Sequence, residues 1–260
     1  MRIALTRGLV KHTRAPIPGF PSTSPIDRGL VAEYRMNCNT GSGLIDHSCC
    51  GNHGALQSGV TWEYGDYGPM LDFDYSHVNL GNANSLDLAA PFTLEVLAYI
   101  DSFPALATIY ERGAGSDVGI DWYLNSSQQV KIWDGDGLTL ETLSSGAQWY
   151  NGVVVIHGGT VDYYSMGEVV SIGNTWSYAQ AGSATAYLGE FQEVGECFDG
   201  KIAGFRVYNR ALSAAEIWQR HLLIMQENRP AIWPIAIGLA PATGVFRVFN
   251  KGIHNIIFGN

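Results

Sequence analysis

Short apolar segments, separated by glycine, asparagine and aspartate at intervals of roughly ten residues, fill the chain from residue 29 to about 210. Four of them have the length and the β-branched or aromatic content of strands: 93–100 (TLEVLAYI), 153–157, 186–191 and 202–208 (IAGFRVY). The turns between strands contain residues that accept a positive φ, as in 134–137 (DGDG) and His157-Gly158-Gly159. The pattern predicts an all-β protein built as a sandwich or a barrel.

One helix is predicted, over about 213–226. Ser213 and Glu216 form an S-x-x-E capping box at its start, and Leu212 before the cap can pack on Ile217 one turn later. Asn228-Arg229-Pro230 ends the helix. The positions that recur at helical spacing, and that we therefore expect to face the sandwich, are Trp218, His221, Leu222 and Met225.

Two arms differ from the body at 29–227 in composition. Residues 1–28 contain four prolines within ten positions, which disfavours regular helix and central strand, and they carry five basic residues and one acid. Residues 228–260 contain three basic residues, no acid and many large apolar side chains. Since the whole chain has a net charge of −9, an acidic body lies between two basic arms. Either the arms dock on an acidic partner, or the asymmetry only reflects chance in short segments. The residues predicted to contact a partner are Arg2, Arg7, Lys11, Arg14, Trp233, Phe246 and Phe249.

Composition argues against several classes of protein. With 31 glycines, 12% aromatic and only 15% charged residues, the chain is not expected to be disordered or to form a coiled coil. It has no apolar run long enough to span a membrane, and its first residues lack the apolar core of a signal peptide, so Sec export is not expected. The body has the wrong sign of charge for nucleic acid, and the basic arms have few interleaved aromatic residues.

Five segments carry a family resemblance: 29–34 (GLVAEY), 51–56 (GNHGAL), 68–74 (GPMLDFD), 92–95 (FTLE) and, most specifically, 198–217 (FDGKIAGFRVYNRALSAAEI). With these, the chain resembles a LamG-like jelly-roll domain of the concanavalin A-like lectin/glucanase superfamily. The resemblance implies a two-sheet antiparallel jelly-roll sandwich with one short C-terminal helix, and a concave sheet that in lectin relatives holds sugars. The sequence departs from the family at Trp149-Tyr150-Asn151 and at Met166-Gly167, where Trp-His-His and Asn-Gly are usual.

Exposed aromatic side chains are the candidates for glycan stacking. One group is expected in a single loop region, and a second on neighbouring strands. Each of these residues could instead serve the core or an interface. The candidate ligand-binding residues are Trp62, Tyr64, Tyr67, Trp122 and Trp133.

A structural calcium ion is the cofactor that the resemblance implies. It would be bound by Asp199, with Asp46 and Asn52 as further oxygen donors. The alternative is that Asp46 and Asn52 only form turns and that Asp199 caps a hairpin.

The cysteines suggest three alternatives. Zinc could be bound within 38–53, which holds Cys38, His47, Cys49, Cys50 and His53, but adjacent Cys49 and Cys50 point in opposite directions along an extended chain. A disulfide could join Cys197 to this region. Free, buried thiols are the default for a protein assembled in the cytosol.

No catalytic motif is present: the sequence lacks G-x-S-x-G, H-E-x-x-H, a P-loop, G-x-G-x-x-G and the paired carboxylates of E-x-D-x-x-E. We therefore expect a non-enzyme. The resemblance extends to virion proteins of tailed phages, so the leading prediction is a capsid decoration or head accessory protein, assembled in the host cytoplasm. Its partners would be the major capsid protein, sister subunits in a homo-oligomer and surface glycans. The alternatives are a tail-associated or secreted carbohydrate-binding or adhesion module, or a glycoside hydrolase.

Overall fold

The computed structural model describes residues 25–37, 40–65, 67–113, 119–133, 137–144, 147–176, 178–190 and 196–227. The strands in the first half of the chain are β1 (Leu30–Tyr34), β2 (Gly43–Leu44), β3 (Gly54–Leu56), β4 (Val60–Gly65), β5 (Gly68–Phe73), β6 (Val78–Gly81), β7 (Phe92–Ile100) and β8 (Leu106–Arg112). Those in the second half are β9 (Ile120–Asn125), β10 (Gln129–Ile132), β11 (Leu138–Thr142), β12 (Gln148–Ile156), β13 (Thr160–Ser165), β14 (Glu168–Thr175), β15 (Ala186–Leu188) and β16 (Gly200–Tyr208). They are followed by the helix α1 (Ala214–Glu227), and two short 3-10 turns lie at Pro25–Asp27 and Asn84–Leu86.

The strands form two eight-stranded antiparallel sheets. Sheet A has the order β14-β13-β12-β7-β16-β5-β4, with β1 paired beside the second half of β16. Sheet B has the order β11-β10-β9-β8-β15-β6-β3-β2. The inner faces of both sheets share one core of fully buried side chains, among them Tyr34, Phe73, Phe92, Trp122, Phe198 and Phe205. The jelly-roll sandwich is therefore confirmed.

The predicted strands at 93–100, 153–157 and 202–208 are confirmed as parts of β7, β12 and β16. The strand predicted at 186–191 is shorter, because β15 ends at Leu188 and Gly189 follows with a φ of +97°. The His157-Gly158-Gly159 turn joins β12 to β13, where the His157 amide donates to the Thr160 carbonyl at 2.8 Å. Within the described ranges, no helix is both long enough and apolar enough to cross a membrane.

The helix has the predicted cap, and the face that it turns to the sheet agrees only in part with the prediction. The Ser213 amide donates to Glu216 Oε2 at 2.9 Å, and the Glu216 amide lies 3.4 Å from Ser213 Oγ, which completes the capping box. Trp218 and Leu222, however, are exposed at 43% and 40%. The prediction of the buried face was therefore wrong for Trp218 and Leu222, but it is confirmed for His221, which is buried, and Met225 packs partly buried against the sheet. The face is shifted because Arg220 is buried beside Glu95 of the sheet. The fully buried side chains of the helix are Ile217, Arg220, His221 and Ile224.

A buried network of ion pairs fastens the helix to the outer face of sheet A. Glu95 Oε2 on β7 lies 3.5 Å from Arg206 Nη1 on β16 and 3.7 Å from Arg220 Nε on α1. Arg206 Nε donates to Glu33 Oε1 at 3.0 Å. Burial lowers the pKa of Arg206, but Glu95 and Glu33 raise it overall, above its usual range. Each of these buried charges thus depends on its oppositely charged neighbours to offset the free energy lost when it is removed from water.

The Met166-Gly167 dipeptide keeps the turn geometry of the Asn-Gly pair that it replaces. Both residues have a positive φ, 52° for Met166 and 84° for Gly167, as a two-residue type I′ hairpin turn requires. Glycine is needed at the second position because a Cβ there would lie 2.9 Å from His221 and Trp218 on the helix. The turn between β13 and β14 therefore also fixes where α1 lies.

Candidate functional site

A row of four side chains crosses sheet A on its outer face. Trp149 on β12 pairs with Tyr99 on β7, Tyr99 with Lys201 on β16, and Lys201 with Asp72 on β5. Because neighbouring strands are about 4.8 Å apart, the row is about 14 Å long. Residues that flank the row on the same strands point into the core, namely Leu71, Ala98, Ile100, Tyr150 and Ile202. Because successive side chains of a strand point to opposite faces, the four residues of the row point outward.

Aromatic rings form one end of the row. The Trp149 ring is tilted against Tyr67, with centroids 4.2 Å apart, and against Tyr99, with centroids 5.4 Å apart. Tyr67 also donates from its hydroxyl to Met225 Sδ at 3.5 Å, which fixes it against the end of α1. Packing on both sides restricts the indole of Trp149 while leaving part of its surface exposed. Such a preorganised ring loses little conformational entropy when it stacks on a ligand.

Charged groups form the other end. Lys201 Nζ lies 2.8 Å from Asp101 Oδ2, 3.4 Å from Asp72 Oδ1 and 3.7 Å from Glu63 Oε2, and 5.8 Å from the centroid of the Tyr99 ring. Partial burial lowers the pKa of Lys201, but the hydrogen bond to Asp101 and the nearby carboxylates raise it overall, above its usual range. Lys201 is therefore a permanent cation, and three carboxylates around one ammonium leave the surface with an excess of negative charge.

Three members of the row, Trp149, Tyr99 and Lys201, lie in a shallow depression of about 250 Å³, here called the aromatic groove. It is lined by Glu63, Tyr64, Gly65, Met70, Tyr99, Trp149 and Lys201. Tyr64 stands at its edge and is 73% exposed. The groove offers flat apolar ring surface beside carboxylate acceptors and an ammonium donor, which together can bind a ligand that has both apolar faces and hydroxyl groups.

The predicted aromatic residues divide between the groove and other places. Tyr64 and Tyr67 lie at the groove. Trp62 instead packs against the core and donates from Nε1 to the Gly41 carbonyl at 2.8 Å. Trp122 is fully buried between the sheets, so the prediction that its ring meets a ligand was wrong. Trp133 follows β10 on sheet B, 6.5 Å from Tyr123, and is not part of the groove.

The structure brings two of the predicted calcium ligands, Asp46 and Asn52, together, but the third, Asp199, lies elsewhere. Asp46 bonds to the Glu33 amide, and Glu33 pairs with Arg206 near the end of β16, whereas Asp199 precedes the first residue of that strand. The seven residue steps from Asp199 to Arg206 span about 23 Å of extended strand. The implied calcium site does not fit these residues.

Hydrogen bonds within the loop already occupy Asp46. Its two carboxylate oxygens accept from the amides of Glu33, Ser48 and Asn52, each at 2.8 Å, and from Ser48 Oγ at 2.7 Å. Asn52 donates from Nδ2 to the Val31 carbonyl and accepts from Ser85 Oγ, both at 2.7 Å. Asp46 and Asn52 therefore form a turn, which was the stated alternative to calcium binding.

The cysteines have different environments. Across the described ranges, no group of three or more His, Cys, Asp or Glu side chains is placed to hold a metal ion, and Cys38 lies outside those ranges. Cys49, Cys50 and Cys197 are free thiols. Only Cys197 is buried, so the expectation of buried thiols was wrong for Cys49 and Cys50, which lie in an exposed turn. The predicted partner contacts Arg2, Arg7, Lys11, Arg14, Trp233, Phe246 and Phe249 lie outside the described residues.

Sequence reasoning missed the centre of the groove, namely Tyr99, Trp149 and Lys201. A signal was present for two of them. Tyr99 in β7 and Lys201 in β16 are each a polar or amphipathic residue next to apolar core positions, and since side chains alternate along a strand, each is placed on the face opposite the core. Their alignment depends on the strand order of sheet A, which the sequence alone does not specify.

Two antiparallel sheets around one core, with a side-chain groove on a sheet face, define a jelly-roll sandwich of the lectin type. A family model described as the concanavalin A-like lectin/glucanases superfamily, of laminin G type, matches residues 72–218, more than half of the chain. The chain belongs to this family. No curated protein matches it.

Several solved structures share the fold. Domain 4 of AbnA, an extracellular GH43 arabinanase from Geobacillus stearothermophilus, solved in complex with arabinotriose, has a TM-score of 0.60 at 16% identity, covering 73% of this chain and 97% of that one. Trypanosoma rangeli sialidase has a TM-score of 0.59 at 17% identity, covering 76% and 33%. The binding domain of Paraclostridial Mosquitocidal Protein 1 has a TM-score of 0.62 at 12% identity, covering 75% and 52%. This chain thus spans about a third of the sialidase and half of the toxin chain. At these identities the likeness shows the fold alone.

Proposed function

We propose that this protein is a non-catalytic glycan-binding protein whose ligand lies along the aromatic groove. The observation that carries the proposal is the cross-strand row of Trp149, Tyr99, Lys201 and Asp72. The apolar face of a sugar ring stacks on an aromatic side chain, and its hydroxyls bond to carboxylates and ammonium groups. A row of about 14 Å presents both kinds of contact in sequence to an extended oligosaccharide.

The charge of the groove selects among glycans. Glu63, Asp72 and Asp101 surround a single ammonium, that of Lys201, so a carboxylated sugar would meet like charge. Neutral oligosaccharides avoid this repulsion, and sugars with an amino group gain attraction. We therefore propose neutral or amino-bearing glycans as ligands, and not sialylated ones.

The comparisons support the proposal at the level of the fold. The family includes lectins by description, and the AbnA domain was solved with an arabino-oligosaccharide. Arabinotriose is accordingly a suitable neutral probe for the groove.

Titration calorimetry on the full-length chain tests the proposal. The probes are arabinotriose, a glucosamine trimer and sialyllactose, followed by a wider glycan array. We expect the neutral or amino-bearing probes to bind more tightly than sialyllactose. Trp149→Ala should weaken binding at least tenfold, because truncating a central aromatic contact costs about 1.4 kcal/mol or more. Trp133→Ala, which removes an indole on the other sheet, is the matched control and should bind like the parent.

Two results would contradict this function. One is unchanged affinity in Trp149→Ala together with lost affinity in Trp133→Ala, which would move the site to sheet B. The other is an absence of binding to every glycan on the array at millimolar concentration.

The setting that we propose for this glycan-binding body is the surface of a phage particle, as a capsid decoration or head accessory protein. Support comes from the sequence: a basic, proline-rich arm and an apolar, basic tail flank an acidic body. Through them the protein would attach to the major capsid protein or to sister subunits. The alternative, a tail-associated or secreted adhesion module, would use the same groove.

Two deletions test the attachment. Removing 1–24 spares Ile26, which is buried at 3% in the body, and removing 228–260 leaves α1 complete. Either deletion should abolish incorporation into particles while the body remains folded by circular dichroism. Normal incorporation of both truncated proteins would refute attachment through the arms.

A further inference from the structure

Cys49 and Cys50 lie in a turn that is fixed by hydrogen bonds to Ser48 and Asp46. The Cys50 amide donates to Ser48 Oγ at 3.2 Å, and that hydroxyl in turn donates to Asp46 Oδ2 at 2.7 Å. Gly51 follows with a φ of +71°, which reverses the chain. The turn is therefore a defined conformation and not an extended segment.

This conformation places both thiols on the same side of the chain. Their Sγ atoms are 3.9 Å apart, close to van der Waals contact, and both residues are exposed. In an extended segment neighbouring side chains point in opposite directions, so the sequence predicts the reverse. The proximity is thus a consequence of the Ser48 and Gly51 geometry.

We propose that Cys49 and Cys50 form a vicinal dithiol modification site that closes to a disulfide by exchange with a small disulfide such as glutathione disulfide. The thiolate of one cysteine attacks a sulfur of glutathione disulfide, forms a mixed disulfide and expels one glutathione thiolate. The second cysteine releases its proton to solvent and attacks the protein sulfur of the mixed disulfide. The Cys49–Cys50 bond forms, and a second glutathione leaves. Two protein thiols are oxidised while one glutathione disulfide is reduced to two thiols.

The geometry also makes the bond easy to reverse. Adjacent Cα atoms are about 3.8 Å apart across a trans peptide, below the roughly 4.4–6.8 Å that disulfides prefer. The closed ring is strained, and strained, exposed disulfides have more oxidising potentials. The site is therefore a dithiol in a reducing cytosol and a disulfide in oxidising surroundings.

Cys197 provides a contrast within the same chain. It is 4% exposed, and burial, together with Glu190, raises the pKa of its thiol to about 12. It should not exchange in the folded protein. Burial and the neighbouring Cys49 thiol also raise the pKa of Cys50, so closure at the exposed pair should accelerate as pH rises.

The experiment uses the full-length chain carrying Cys38→Ser, which removes the third cysteine nearby in sequence. The protein is incubated with glutathione disulfide, alkylated, and examined by intact mass and peptide mapping. We expect the loss of two hydrogens, mapped to a single peptide with both Cys49 and Cys50, no retained glutathione, and recovery of both thiols with dithiothreitol. The matched controls, with Cys49→Ser or Cys50→Ser added, should each retain one glutathionyl group, because no second thiol can displace it.

The result for the Cys38→Ser chain, in which Cys49 and Cys50 are both present, tests the proposal. A glutathionyl group that persists on Cys49 or Cys50 in the presence of its neighbour would overturn the proposal, as would oxidation that joins either residue to Cys197 or to a second chain. Since both side chains are exposed, the serine substitutions should leave the folded structure intact, and circular dichroism would verify this.

Discussion

Replacing Glu95 with glutamine tests the view that buried charges hold the helix to the sheet. The side chain is 2% exposed and lies within 4 Å of two guanidinium groups, those of Arg206 and Arg220, which are themselves 7% and 6% exposed. Glutamine keeps the size of the side chain but removes the charge. Among the described residues, this leaves Arg220 without a carboxylate partner and Arg206 with only Glu33. We therefore expect a loss of about 3–5 kcal/mol in the free energy of unfolding.

Urea denaturation followed by tryptophan fluorescence measures this loss, and thermal unfolding should show a melting temperature lower by roughly 6–20 °C. Glu63→Gln is the matched control. That carboxylate is 49% exposed and lies 3.7 Å from Lys201, so its removal should cost at most about 1 kcal/mol. A cost below about 1 kcal/mol for Glu95→Gln would show that the buried pairs contribute little and that apolar contacts alone hold α1.

Three further substitutions give distinct expectations. Burial raises the pKa of Asp121 from 3.8 to about 8, so its contribution to stability is complete below pH 3.8 and is lost as pH rises to about 8. Asp121→Asn should therefore raise the free energy of unfolding by roughly a few kcal/mol at pH 7 and leave it unchanged at pH 4. A difference in urea midpoints that does not depend on pH would contradict this. Met166→Asn, at a φ of 52°, should add about 0.5 kcal/mol in the same assay; destabilisation would argue against the type I′ turn. The hydrogen bond from Arg210 lowers the pKa of Glu216 to about 2. Glu216→Ala should therefore lower the free energy of unfolding by about 1 kcal/mol above pH 4.5, and this loss should vanish as pH falls towards 2. An equal loss at pH 2 would refute the role of the charge.

The fold was predictable because its signals are local. Alternation of apolar residues, turn glycines and the capping box at Ser213 each act within a few residues, and each reappears in the structure. The buried face of α1 was predicted only in part, because Arg220 has the residue type of a surface position and only Glu95 on β7 makes its burial favourable. A pairing across 125 residues of sequence leaves no local pattern.

The aromatic groove was only partly predictable for the same reason. Tyr64 and Tyr67 were predicted as exposed aromatics of one loop region, whereas Tyr64 lies on β4 and Tyr67 is half-buried. Trp149, Tyr99 and Lys201 become neighbours only when β12, β7 and β16 lie side by side. Trp122 was chosen by residue type, whereas its position in β9 faces the core. For Cys49 and Cys50 the assumption of an extended chain failed, because the hydrogen bond to Ser48 bends it.

The most direct test of glycan binding at the groove is fluorine NMR on the chain labelled with 5-fluorotryptophan, titrated with arabinotriose and then with a glucosamine trimer. The Trp149 resonance is assigned from its absence in Trp149→Phe, and the buried Trp122 and Trp176 serve as internal references. We predict a saturable shift of the Trp149 resonance with the references unmoved. A ligand that binds by calorimetry but leaves Trp149 unshifted, or that shifts only Trp133, would contradict the central claim.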